Sequence, residues 1–286
     1  METRRTIVVA VLVPLTALCF RAVAQQGGSG GGRGDGQAER RQPVAPAPAI
    51  DPKADALLKK MGEQLAAAKR FSFQSHAMMD QVMENGQKIQ VARNQRVAVR
   101  RPDGVAASVV GDLEDLQFWY DGKQVALLNR ASHTYGIAGA PPTIDATFDM
   151  LAEKYGLAIP LADILFADPY KTLIANARVG QYLGIGYVFE ARCHHLAFRQ
   201  PGVDWQVWIE DNEQAMPRKF VITYKENPSQ PQYVSFLSNW KLSADVPDSA
   251  FTFAAPQDAR RVDFGPAAPS SMAQPAKSQE PSTEKK

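Results

Sequence analysis

YVFEARCHHLAFRQ (187–200), VDWQVWIED (203–211), PRKFVITYKENP (217–228) and QYVSFLSNWKL (232–242) are four apolar, aromatic-rich runs of strand length. Breaks at Pro201-Gly202, Asp211-Asn212 and Asn227-Pro228 separate them, and such residues favour turns over strands. Alternation with a period of two sorts the side chains onto two faces. Trp205, Val207 and Ile209 share one face against Gln206, Trp208 and Glu210. Phe220, Ile222 and Tyr224 oppose Lys219, Val221 and Thr223; the last run puts Val234, Phe236, Trp240 and Leu242 together. The reading is an antiparallel meander with one strongly apolar face.

Working outward, the N-terminal half repeats the pattern. Phe71–Asp80 alternates as a strand, Glu84-Asn85-Gly86-Gln87 reads as a hairpin turn, and Lys88–Arg101 returns. Arg101-Pro102-Asp103-Gly104 turns into a third strand at 105–110, followed by a hairpin over 116–129 and a strand at 133–137. Helical signals flank this sheet. Asp51-Pro52 supplies a capping carboxylate and a proline suited to a first turn, with Leu57, Leu58, Met61, Leu65 and Ala68 at helical spacing behind them. Thr143 caps a second helix carrying Ile144, Phe148, Leu151 and Tyr155, closed by Gly156. Two short helical segments follow over 160–167 and 169–176. Segregated strands and helices with hairpin connections predict an α+β fold. It is expected to be a single large antiparallel sheet curved into an incomplete half-barrel. The N-terminal helix and the central helical insert should cover its concave face.

The ends differ from the centre. Arg4-Arg5, an apolar stretch from Thr6 to Phe20 and Ala22-Val23-Ala24 have the form of a cleaved signal peptide over 1–24. That stretch is shorter than the about 20 apolar residues a membrane span needs. The arginine pair leaves Sec and twin-Arg export both open. Residues 25–50 are Gly-, Arg- and Pro-rich and read as a disordered linker, as do 265–286 as a tail, leaving 51–264 as the folded domain. Removal of Cys19 with the leader would leave Cys193 alone, so no internal disulfide is expected. The expected location is the periplasm.

A net charge of +2 gives no electrostatic case for nucleic acid. Cys193-His194-His195 is too small a donor set for zinc, and His76 and His133 lie far off in sequence, so no metal or other cofactor is expected. No phosphate loop, GxSxG or HExxH occurs, and Glu153, Asp163 and Asp168 have no spacing that assigns acid and base. The chain is not read as an enzyme and no catalytic residue is assigned. His195 is expected to bond within the sheet or to a carboxylate such as Asp204, the pair forming a possible polar site. Arg93, Arg96, Arg100 and Arg101 concentrate positive charge around the second strand, a rim suited to transient contact with a membrane surface or to a solvated strand face.

Several separated segments occur together: Arg101-Pro102, Phe118-Trp119-Tyr120-Asp121-Gly122, Pro160-Leu161-Ala162-Asp163, Asp168-Pro169-Tyr170, His195–Arg199, Asp204–Glu210, Pro217-Arg218-Lys219 and Phe251-Thr252-Phe253. Together they resemble a bacterial family of predicted periplasmic proteins of unknown function. That family is similar in implied fold to the lipoprotein-carrier (LolA/LolB-like) superfamily. The resemblance implies an incomplete barrel whose concave side, lidded by helices, shelters acyl chains or an apolar lipoprotein segment. Each buried methylene would contribute roughly 0.8 kcal/mol. The residues expected to line such a cavity are Trp205, Val207, Ile209, Phe220, Ile222, Phe236 and Trp240, in a protein acting as a monomer. The alternatives are an envelope sensor or protein-interaction module without lipid cargo and, further off, a hydrolase.

Overall fold

The computed structural model describes residues 49–265; the expected signal peptide, most of the linker and the tail lie outside the described residues. Helix α1 (Pro52–Ala67) starts where the sequence places it: the Asp51 carboxylate accepts from the Lys53 amide at 2.7 Å and Pro52 occupies the first turn. A 6-strand meander follows, β1 (Arg70–Val82), β2 (Lys88–Arg100), β3 (Gly104–Gly111), β4 (Asp115–Tyr120), β5 (Gln124–Asn129) and β6 (Thr134–Gly139). Helix α2 (Ile144–Tyr155) is capped by Thr143 and closed by Gly156; a 3-10 turn at Ala162–Leu165 and helix α3 (Pro169–Ile174) complete the insert. A second meander then runs through β7 (Val179–Val188), β8 (Ala191–Arg199), β9 (Val203–Glu210), β10 (Pro217–Tyr224) and β11 (Gln232–Lys241). A short β12 (Arg260–Arg261) ends the described chain's regular structure.

All 12 strands form one sheet in the order β12-β6-β5-β4-β3-β2-β1-β11-β10-β9-β8-β7. Each pairing is antiparallel except β12 on β6. The sheet is the expected open half-barrel. Its two meanders meet where β1 pairs with β11, so the first strand is joined to the last long one by no hairpin. The described segments flanking the sheet attend to its two edges. At β7, Ile50 bridges Gly180 and the Asp51 amide donates to the Gly180 carbonyl at 2.9 Å. At β6, Phe253 packs on Trp119 and Tyr135 on the outer face, Arg260–Arg261 pair along the edge, and Phe264 packs on Tyr155 of α2.

Two differences from the sequence reading have local causes. The run 187–200 is not one strand: it holds the end of β7, a turn at Phe189-Glu190 and β8, so the second meander has five strands. Phe189 takes φ +51° at that turn, a conformation usually given to Gly or Asn, so no residue type announced it. In β11, Asn239 (φ +54°) inserts an irregularity and the pairing with β1 shifts between Gln74 and Ser72. Alternation therefore changes phase along the strand. Tyr233, Ser235 and Leu237 face inward with Trp240, and Phe236 faces out beside Phe189 and Lys219.

Candidate functional site

The inner face is built from alternate residues of both meanders. Phe71, Phe73 and Ala77 of β1 meet Trp240 and Leu237 of β11, then Phe220 and Ile222 of β10, Trp205, Val207 and Ile209 of β9, and Leu196 and Phe198 of β8. Ring stacking knits the row: Phe73 on Trp240 at 4.5 Å between centroids, Phe198 on Trp205 at 4.2 Å. The structure thus brings together six of the seven residues expected on this face and leaves Phe236 on the other. Trp205, Val207, Ile209, Phe220 and Ile222 are buried, packed in one cluster with Leu58, Met61 and Leu65 of α1. The protein's own helices fill the trough.

Those helices are held by polar contacts at their margins. Tyr170 of α3 donates to the Asp55 carboxylate of α1 at 2.7 Å, and Lys60 reaches the Asn212 carbonyl at 3.1 Å. A Cβ on Gly62 would sit 2.6 Å from that of Tyr170, so only glycine lets the two helices approach this closely. Arg101, just past β2, donates to the carbonyls of Leu165 and Phe166 and, at 3.3 and 3.4 Å, to those of Leu65 and Ile164. One guanidinium thereby ties the end of α1 to the 3-10 turn. Burial lowers its pKa to about 10, against the opposing pull of Asp145. Asp163, at the start of that turn, is pushed the other way: burial raises its pKa to about 6, with Asp149 of α2 adding to the effect.

The arginines expected to form one rim are dispersed. Arg96 is exposed, Arg100 pairs with Asp103 and Asp248, Arg101 is spent on carbonyls, and Arg93 turns into the trough, where Nη1 donates to Glu114 at 2.8 Å. Arg93 stands over the Tyr233 ring, 5.7 Å from its centroid. Close by on the same face, the buried Tyr224 hydroxyl has no hydrogen-bond partner among the described residues. Sequence reading picked out Arg93 by charge but not its partners, because Tyr233 and Tyr224 look like ordinary strand aromatics.

His195 and Asp204 do not form a pair. His195 lies on the outer face, stacked on Trp208 at 3.9 Å and bonded to Gln206 at 2.9 Å; Asp204 pairs with Lys225 at 2.8 Å. Burial, with Lys219 nearby, holds the His195 pKa below its usual value despite the Gln206 bond. It is His194 that reaches inward, with Nδ1 3.1 Å from the Tyr182 hydroxyl and Nε2 2.9 Å from the Asp211 carboxylate. Cys193 is buried and its thiol pKa is raised to about 11, mainly by burial, which keeps it protonated and unreactive. No group of three or more His, Cys, Asp or Glu among the described residues could hold a metal ion.

The fold defines an open, helix-lidded half-barrel of the α+β class. Residues 54–265 match the model of the family described as predicted periplasmic protein (DUF2092), and the chain belongs to that family. The family's location agrees with the export expected from the N-terminus; no described helix is long and apolar enough to cross a membrane. No curated protein matches the sequence. Among solved structures the chain is similar to an uncharacterized conserved protein from Thermus thermophilus (12% identity, 74% of this chain and 99% of that one, TM-score 0.45). It is also similar to a LolA superfamily protein from Nitrosomonas europaea (11%, 70% and 97%, TM-score 0.36). A third is the lipoprotein LppX of Mycobacterium tuberculosis (10%, 69% and 100%, TM-score 0.41).

Proposed function

We propose that this periplasmic protein is a carrier that shelters an acyl chain, or an apolar lipoprotein segment, between the sheet and its helical lid. The observation that carries the reading is the contrast between the lid's two attachments. Its apolar side chains fill a largely apolar trough, while its margins are fastened by a few replaceable contacts, Arg101 to carbonyls, Tyr170 to Asp55 and Lys60 to Asn212. Lifting α1 and α3 would expose apolar surface that a hydrocarbon chain covers equally well, since the hydrophobic effect is not directional. The test is native mass spectrometry of protein purified from the periplasm, with titration of a fluorescent C16 fatty acid. A co-purifying acyl species or saturable uptake of the fatty acid supports the carrier; an empty protein that refuses the fatty acid overturns it.

A second reading, a protein-interaction module, is favoured by edge strand β7. Leu183, Ile185 and Tyr187 are exposed there, and Phe189 in the turn that follows, the last two at 68% and 77%. Exposed apolar side chains on a terminal strand suit addition of a partner's strand. Charged substitutions at Tyr187 and Phe189 that abolish a stable envelope complex, in a protein that takes up no fatty acid, would favour it over the carrier.

A further inference from the structure

The trough is not apolar throughout. Arg93, Tyr233 and Tyr224 lie in one row of its inner face, on β2, β11 and β10, with Glu114 from the β3–β4 turn against the guanidinium. Strand register explains the row. Ala77 of β1 faces Arg93, Met79 faces Tyr233, and Ile222 beside Tyr224 faces Tyr233 on the other side. The row is tightly built. Gly111, opposite Arg93, has no room for a side chain, because a Cβ would sit 2.7 Å from that of Arg93. Its amide donates to the Glu114 carbonyl at 2.8 Å, which sets the turn that presents the carboxylate.

Three features of this row are unexplained by packing. A guanidinium in a half-buried, apolar setting is costly unless paired, and here its pairing comes from one carboxylate on a short turn with the Tyr233 hydroxyl beside it. A tyrosine hydroxyl on a residue only 2% exposed, without a partner among the described residues, is a desolvated polar group of a kind native proteins seldom keep. And the two stand together, close enough for Arg93 to act on the Tyr224 hydroxyl electrostatically. The Arg93 side chain, at 23% exposure, and Glu114, at 28%, lie where solvent reaches the row, with Tyr224 deeper.

We infer that Arg93, Tyr224 and Tyr233 form a headgroup site for a single-chain anionic amphiphile, with Glu114 as an internal carboxylate that holds the site until the ligand's own anion replaces it. The inference rests on the carrier reading and deepens it. Arginine offers a planar fork of donors suited to carboxylate or phosphate oxygens, and the Tyr224 hydroxyl supplies a further donor to the same anion. The alkyl chain would run from there along Ile222 and Trp205 under α1. Displacement of Glu114 costs little in net charge, because one anion leaves the guanidinium as another arrives. A neutral headgroup would leave the arginine with Glu114 and gain nothing.

The experiment is displacement of the fluorescent C16 fatty acid by palmitate, hexadecyl phosphate and hexadecanol, on the full chain and on four variants. Both anions are expected to bind about tenfold or more tighter than hexadecanol, the scale of a charge-assisted hydrogen bond. Whichever anion binds tighter identifies the headgroup chemistry as carboxylate or phosphate. Arg93→Met should abolish the preference for anions and Arg93→Lys should keep part of it. Glu114→Gln retains a bond to Arg93 but removes the competing charge, so it should tighten both anions. Tyr224→Phe should weaken them several-fold without loss of folded structure by circular dichroism, which keeps the test valid if the Arg93 variants misfold. Equal binding of hexadecanol and the anions, or looser anion binding in Glu114→Gln, overturns the headgroup site and leaves the carrier standing. Failure of all three compounds to displace the fatty acid also overturns it. Failure of the fatty acid itself to bind overturns both.

Discussion

The rings of Phe73 on β1 and Trp240 on β11 stack with centroids 4.5 Å apart, directly over the pairing that joins the two meanders. Phe71 extends the stack at 6.4 Å from Trp240, and the indole Nε1 donates to the Pro217 carbonyl at 3.0 Å. This cluster pins the seam along which the halves of the sheet are hydrogen-bonded to each other. Trp240→Ala is expected to cost roughly 3 kcal/mol, the usual scale for truncating a large packed aromatic. Urea unfolding would check it, and a loss below about 1 kcal/mol would show that the backbone pairing alone holds the junction.

Arg101 stabilises by collecting main-chain carbonyls from α1 and from the insert. Arg101→Met keeps much of the side chain's bulk and removes all of the donors. The expected loss is on the order of 2–3 kcal/mol, because buried acceptors are left unsatisfied. Amide hydrogen exchange should rise first over residues 162–168 and the last turn of α1. Uniform protection in the variant would contradict the assigned role.

Asp163 gives a pH dependence of definite sign. Its folded pKa, about 6, lies above the ordinary carboxylate value, so the folded state prefers the protonated acid. Stability from this group is complete below the unfolded pKa near 4 and falls as pH rises toward 6. Asp163→Asn should therefore be more stable than the parent at pH 7, by on the order of 2 kcal/mol, and close to it at pH 4. Melting temperatures at the two pH values decide the matter. An equal difference at both would remove ionisation as the cause.

Asp248 has the opposite sign. Hydrogen bonds from Arg70 (2.7 Å) and Arg100 (2.9 Å) hold its carboxyl below the usual range, so its contribution is present above about pH 4 and is lost as pH falls through the lower folded value. Asp248→Asn should lower the melting temperature at pH 7, with the gap closing in acid. The carboxylate is open to solvent and the effect should shrink in high salt. A gap unchanged by acid or salt would assign it to packing.

Much of the sheet was legible because its strands alternate. Trp205, Val207 and Ile209 could be placed together from spacing alone, and the caps at Asp51 and Thr143 marked two helices by chemistry. What escaped reading was decided by tertiary context. β7 carries Gly180, Gly184 and Gly186 between its apolar residues, a pattern of low strand propensity that is rescued by pairing with β8. Asn239 changed the phase of β11 and moved Phe236 to the outer face, a shift no period-two count detects. The Arg93 row joins residues from β2, β10, β11 and the β3–β4 turn, distant in sequence and adjacent only once the register is fixed.

Because β1 pairs with β11, the order of emergence matters for a chain made from its N-terminus. The first strand appears early, with β2 available on one side and nothing on the other, and must wait for nearly the whole domain to arrive before its second neighbour exists. Until then Phe71, Phe73 and Ala77 face a half-built interior and the strand's outer hydrogen bonds are open to any passing β-segment. The final fold is thus held back by its last long strand, and the period of greatest vulnerability is set by the rate of delivery rather than by the stability of the finished sheet.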